Sequence, residues 1–276
     1  MRGVSDKSDE RKRAARDRLE QQRELDRARE RRRRTLIVAT AVVGVLALAA
    51  VVGLIAANAG KDDHDSQAGP VATPSGATGK DGLTLQVGAD DAPSTLTVWE
   101  DFRCPVCAQF EDAFRDTIAE LADSGQIKVD YHLATIIDGN LGGSGSLRAA
   151  NAAACAQDAG EFAAYHDVLY RNQPAESDDS FADNSRLIEL AGSVDGLDTP
   201  AFRNCVEDGT YDSWVEKSNT AFGEGGFQGT PTALLNGESI FPKKGDEEIS
   251  VAHLKKWVAE ANKGRKPATA GATPSP

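Results

Sequence analysis

Hydrophobic and polar positions along the chain fall into four regimes. The first, to residue 34, is dominated by charged residues. Glu20 faces Arg23, Glu24 faces Arg27 and Glu30 faces Arg34 at helical spacings, so the segment reads as a solvated helix. The second, from Leu36 to Ala57, is 22 residues without a charge. At 1.5 Å per residue such a helix reaches roughly 33 Å, enough to cross a hydrocarbon core of about 30 Å. The third, from Gly60 to Gly82, is rich in Gly, Ser, Thr, Pro, Ala and Asp and has no apolar period, which predicts a flexible tether.

The fourth regime, 83–263, carries the periodicity of a folded body. Leu83 to Val87 alternates and ends at Gly88, an edge strand. Thr95 to Trp99 is β-branched and apolar, a buried strand. Phe110, Phe114, Ile118 and Leu121 recur at helical spacing, and Gln126 to Leu133 returns to strand. Helical signals run from about 146 to 222. Thr232 to Leu235 is a short strand, Asn236-Gly237 a two-residue hairpin turn, and Ser239 to Phe241 its partner. Ile249 to Ala261 closes with a helix bearing Leu254, Trp257 and Val258 on one face. A strand–helix–strand unit and a strand–strand–helix unit, split by a helical insertion, predict an α/β layered fold. The tail beyond Lys263 has a disordered composition.

Charge sharpens this division. Residues 1–34 hold 14 Lys/Arg and 8 Asp/Glu, +6, while the remaining residues hold 17 and 35, −18. Arg31 to Arg34 border the apolar run on one side and Asp62, Asp63 and Asp65 lie on the other. The positive-inside rule keeps the N-terminus cytoplasmic and puts the body outside. Ala57-Asn58-Ala59 has the form of a cleavage site, but the run and its leader are both longer than a signal peptide's, so a retained single-pass anchor is expected. The predicted organisation is a basic leader at 1–34, an anchor at 35–58, a linker at 59–82, a folded domain at 83–263 with its helical insertion at about 144–222, and a disordered tail at 264–276. A body carrying −18 repels phosphates, which excludes a nucleic-acid partner.

All four cysteines follow the apolar run, in a compartment that permits disulfides. Cys104 and Cys107 form a C-x-x-C between a predicted strand and helix. A zinc site needs about four ligands, and no second C-x-x-C or spaced pair of histidines is present. A first cysteine at a helix N-terminus instead meets unpaired N–H groups that favour its thiolate, the reactive form. Pro105 suits the first helical turn because its missing N–H would have no partner there. Cys107, one turn on, is placed to resolve a mixed disulfide. Cys155 and Cys205, 50 positions apart in the helical block, are expected to form a structural disulfide. The Gly142-Gly143-x-Gly145 loop lacks the form of a phosphate cradle and reads as a flexible connection. His166 reads as a core-edge histidine, Phe222, Phe227 and Phe241 as core, and Glu100 and Asp101 as surface or turn carboxylates.

Three stretches together resemble the DsbA-like thiol–disulfide oxidoreductases of thioredoxin fold, in their membrane-anchored bacterial form: Trp99 to Cys107, Tyr165 to Tyr170, and Gly229-Thr230-Pro231-Thr232. The resemblance covers 83–263 and implies a thioredoxin-like domain with an inserted helical domain. It implies a dithiol oxidase that introduces disulfides into secreted proteins through Cys104 and Cys107, without a cofactor. A reductase or isomerase of the same fold, or a non-catalytic client-binding module, are the alternatives. It further implies that Pro105 and Val106 support the site, that Thr230–Pro231 is a cis bond facing the dithiol and holding substrate, and that a DsbB-like or vitamin K epoxide reductase-like membrane enzyme reoxidises the pair. Two departures stand out. Val106 occupies a position where many relatives have a thiolate-stabilising histidine, so Cys104 should rely on backbone N–H groups and the helix end, giving a milder oxidant. Val98 stands six positions before Cys104, where relatives often have a buried glutamate. No dimerisation segment is evident before Leu83, which favours a monomer.

Overall fold

A computed structural model of the protein describes residues 71–269. The expected leader, anchor and first half of the linker lie outside them, and no helix among the described residues is long and apolar enough to cross a membrane.

Five strands form the central sheet. In chain order these are β1 (Leu85–Val87), β2 (Ser94–Glu100), β3 (Ile127–Leu133), β4 (Thr232–Leu235) and β5 (Glu238–Ser239), and in space they lie β1-β3-β2-β4-β5. The apolar β2 is the central strand, where both of its faces are covered. It pairs in parallel with β3 through the crossover helix α1 (Pro105–Asp123). β4 runs antiparallel to β2, with Trp99 opposite Thr232. That register decides where the site lies: the residues just after β2 must face those just before β4. Asn236 and Gly237 turn the β4–β5 hairpin with φ of 52° and 85°, the left-handed pair expected of an Asn-Gly turn.

Between β3 and β4 lies the helical insertion: α2 (Ile136–Leu141), α3 (Gly145–Asp158), α4 (Phe162–Arg171), α5 (Asn184–Ala191), α6 (Pro200–Asp208) and α7 (Asp212–Glu224). Helix α3 is its axis. Six of its alanines are fully buried, and their small side chains let α4, α6 and α7 approach closely. The final helix, α8 (Val251–Ala261), buries Leu254, Trp257 and Val258, the face expected for it.

Three segments differ from the expectation. Residues 71–82, read as tether, lie against the body: the Ser75 N–H donates to Asp158 (2.8 Å), Gln157 donates to the Ser75 carbonyl (3.1 Å), and Trp214 Nε1 donates to the Gly82 carbonyl (2.7 Å). Few apolar residues are involved, so no period announced the contact. In the tail, Arg265 donates to the Pro93 carbonyl, and Ala268 is buried and donates its N–H to the Gly125 carbonyl. Gly125 (φ 67°) is where this passes, since a Cβ there would stand 2.4 Å from the Ala268 oxygen. Finally, Lys243–Lys244 (β6) and Glu247–Glu248 (β7) form a small hairpin with no apolar alternation to reveal it.

Candidate active site

Strand β2 ends at Glu100, and the four residues after it form the turn that delivers Cys104 to the start of α1. Cys104 is the N-cap in extended conformation and Pro105 is the first helical residue, as expected. No side chain caps this end, so its N–H groups are free to face sulfur. Cys104 and Cys107 are both unbridged, and Cys107 is fully buried. Cys104 retains 5% exposure, while Val106 beside it is among the most exposed large apolar side chains of the body, at 42%. The β2–β4 register brings Thr230 and Pro231 across from this turn. Their peptide bond is cis, and the Thr230 carbonyl oxygen lies 3.3 Å from Cys104 Sγ.

The two sulfurs are driven apart in acidity. The Cys104 thiol is lowered to about 6, first by a hydrogen bond from Cys107, against burial, and then by the Thr230 side chain and the backbone N–H groups of Cys107 and Val106. Backbone and helix end were expected to lead; the thiol of the resolving cysteine leads instead. A protonated Cys104 donates to the Thr230 carbonyl. The buried Thr230 hydroxyl has no other partner, so it is available to donate once sulfur is a thiolate. Burial pushes Cys107 the other way, well above an ordinary thiol, and its hydrogen bond to Cys104, the Cys104 charge and the Glu100 charge add to this. One sulfur is poised as nucleophile and leaving group, the other as a buried thiol.

Beneath Cys107 lies a polar cluster that sequence reasoning missed. Glu100 and Asp101, expected at the surface, are 1% and 0% exposed. The helical insertion covers this end of β2, a long-range effect that local pattern cannot show. Glu100 Oε1 pairs with His166 Nε2 at 2.6 Å. Burial opposes a charged His166 ring, yet Glu100 and Asp167 outweigh it and lift the ring to about 10. His166 is thus a fully buried ring held between two carboxylates rather than a core-edge ring. Glu111 is also buried, and its carboxyl is raised by burial. One signal for it was present: it interrupts the apolar stripe of α1 four positions after Cys107. The ligand atoms of Glu100, Glu111 and His166 lie within 4.8 Å of one another. Glu100 and His166 already occupy each other's ligand atoms in a charge-assisted hydrogen bond that a cation would have to displace, so the trio fits a charge pair better than a metal centre. Burial raises Asp101 to about 6, against its bonds from the Ile137 and Arg103 N–H groups.

Arg103, 2% exposed, points into the insertion. Its Nη1 meets Asp138 (2.6 Å), Asp179 (2.8 Å) and the Gly142 carbonyl (3.1 Å), and its Nη2 meets the Glu176 carbonyl (3.2 Å). The glycine loop expected to be flexible is part of this lock: Asp179 accepts from the Ser144 and Gly145 N–H groups, and a Cβ at Gly143 would stand 2.3 Å from it. Phe222 and Phe227 pack on Trp99, and Phe241 packs on Phe110.

Cys155 on α3 and Cys205 on α6 are joined as a disulfide with a sequence separation of 50. Replacing both with serine should cost about 4 kcal/mol in the chain-entropy account. Urea unfolding of the double variant measures this, and a loss below about 1 kcal/mol would contradict it.

Comparison with known proteins gives a consistent result. A family model described as thioredoxin matches residues 80–260. Disulfide bond formation protein D of Bacillus subtilis is 27% identical over 157 residues, 56% of this chain and 68% of that protein. Among solved structures, reduced DsbA from Mycobacterium tuberculosis is 28% identical with a TM-score of 0.56, over 67% of this chain and 94% of that one. The reduced disulfide bond oxidoreductase DsbG of the same organism is 27% identical with a TM-score of 0.57, over 69% and 92%.

Proposed function

The chain belongs to the thioredoxin family, and from that premise we propose that it is an extracytoplasmic thiol–disulfide oxidase of DsbA-like type, acting through Cys104 and Cys107 on cysteine-containing secreted proteins. The observation that carries this reading is the opposed acidity of the two sulfurs, with the acidic one beside the more open edge of the site.

A substrate thiolate attacks Cys104 Sγ of the oxidised pair. The Cys104–Cys107 bond breaks, a substrate–Cys104 bond forms, and Cys107 leaves as a thiolate that takes up a proton, as its burial demands. A second substrate thiolate then attacks the substrate sulfur of the mixed disulfide, and Cys104 leaves. Two electrons have passed from the substrate dithiol to the protein, and the substrate disulfide is complete. A thiol of low pKa leaves faster, so the lowered pKa of Cys104 favours this second step over reversal. Thr230 and Pro231, across from the dithiol, hold the substrate backbone, and Pro105 and Val106 present the exposed apolar edge it crosses. Reoxidation falls to a membrane partner of DsbB-like or vitamin K epoxide reductase-like kind, and the run Leu36 to Ala57 anchors the body near it, with the N-terminus cytoplasmic.

The reduction potential of the Cys104–Cys107 pair, with peptide oxidation and insulin reduction run beside it, tests the direction. With valine at 106, the expected value lies between about −120 mV, typical of the strongest oxidants, and about −270 mV, typical of thioredoxin, with peptide oxidation dominant. A value at the thioredoxin end together with efficient insulin reduction would make the protein a reductase.

A further inference from the structure

The nucleophile stands on a turn rather than in a regular element, and that turn is fastened from outside the thioredoxin-like lobe. Within the turn, the Cys104 N–H donates to the Asp101 carbonyl (2.9 Å). The Arg103 N–H donates to Asp101 Oδ1 (2.8 Å), and the other carboxylate oxygen accepts from the Ile137 N–H (2.9 Å). Gln173, just past the end of α4, then spans two carbonyls at once: its Nε2 donates to the Phe102 oxygen and to the Cys104 oxygen, both at 2.9 Å. The acceptors of the Arg103 guanidinium lie between 138 and 179. Apart from the Asp101–Arg103 bond inside the turn and the contact of Cys104 Sγ with the Thr230 carbonyl, the side-chain holds on this turn reach into the helical insertion.

The Cys104 carbonyl has a second duty. It accepts the first N–H bond of α1, from Ala108 at 3.2 Å. Its direction and the extended conformation of Cys104 (φ −75°, ψ 117°) together decide whether Sγ faces the N–H groups of Val106 and Cys107. A turn between a strand and a helix has rotational freedom that costs little to explore. Gln173 removes it by bracketing Arg103 between two fixed carbonyls, and Arg103 itself cannot swing while its guanidinium is held in the insertion.

We propose that Gln173 is a positioning residue for the exchange reaction: with Arg103, it lets the helical insertion hold the Cys104 sulfur over the N-terminus of α1. The insertion is then a working part of the redox centre as well as a cover for it. This deepens the oxidase reading of the preceding subsection and rests on it.

The test is the 240 nm thiolate absorbance of the reduced full-length protein as a function of pH, for wild type and for Gln173→Leu, with near-ultraviolet circular dichroism to confirm folding. Losing the bridging donor should cost roughly one hydrogen bond's worth of alignment, raising the titration midpoint by about 0.7 unit and lowering the thiolate fraction at pH 6 about threefold. A purely structural hold would lower the melting temperature and leave the titration midpoint in place, which would overturn the proposal. If the leucine variant fails to fold, Gln173→Asn, too short to bridge both carbonyls, is read the same way. Wild-type protein that neither titrates near pH 6 nor oxidises a dithiol peptide removes the reading beneath the proposal. Wild-type exchange with an unmoved midpoint in the variants removes the clamp alone.

Discussion

Replacing Arg103 with methionine is expected to destabilise the folded protein by about 3 kcal/mol and to lower its Tm by roughly 10 °C. Methionine keeps most of the stem's packing and removes the charge and its donors. Asp138 and Asp179 are then left facing each other, with side-chain exposures of 12% and 33%. Two features limit the damage. Asp138 still accepts from the Ser146 and Leu147 N–H groups, and Asp179 from those of Ser144 and Gly145. Asp179 is also open enough for water to screen it. These place the loss at the lower end of the range for breaking a buried pair, about 3–5 kcal/mol. A control is available in the same molecule: the Arg186–Glu189 pair is exposed at 38% and 71%, and its removal should cost under about 1 kcal/mol. Urea unfolding of both variants decides the matter. Equal small losses would mean that Arg103 is no anchor.

Arg103 also shows why part of the site was legible in the sequence and part was not. The dithiol could be placed because its signals are local: a β-branched strand, a cysteine where the strand ends, a proline in the first helical turn. Thr230 and Pro231 were reached by resemblance, and the β2–β4 register supplies the physical reason for their position. The polar residues around the dithiol had no such signal. Glu100 is buried at a place where α4, far along the chain, brings His166 against it. Gln173 sits two residues beyond a helix end, in a stretch that reads as loop, and its partners are 69 and 71 positions away. Glycines were misread for a related reason. Gly143 and Gly145 look like flexibility in a sequence, yet here they allow the backbone to close around Asp179. Local pattern finds elements; contacts made across the fold decide which of their charges are buried.

The reduced protein should react with iodoacetamide at Cys104 alone, with a rate that rises through pH 6 and is level above about pH 7. The size of the effect depends on two opposed terms. At pH 6 a thiol titrating near 6 is half ionised, which is roughly 160 times the thiolate fraction of a thiol at the ordinary value of about 8.5. The same stabilisation makes each thiolate less nucleophilic, by roughly 10- to 18-fold. Ionisation wins, leaving an advantage of about tenfold at pH 6 that disappears by about pH 7.5 and reverses above it. Cys107 takes no part, because burial keeps it protonated across this range. The same acidity sets the direction of driving force. Cys104 has a depressed pKa in the folded, reduced protein. Its contribution to that state is complete only above the unfolded value of about 8.5 and is lost as pH falls through about 6. The reduced form is the product of substrate oxidation, so oxidising power over ordinary dithiols should grow from pH 6 towards pH 8 and fade below 6. Alkylation that climbs only through pH 8 to 9, or a potential relative to a simple dithiol that does not change between pH 5 and 8, would show that Cys104 is an ordinary thiol. The opposed acidities on which the oxidase reading stands would then be absent.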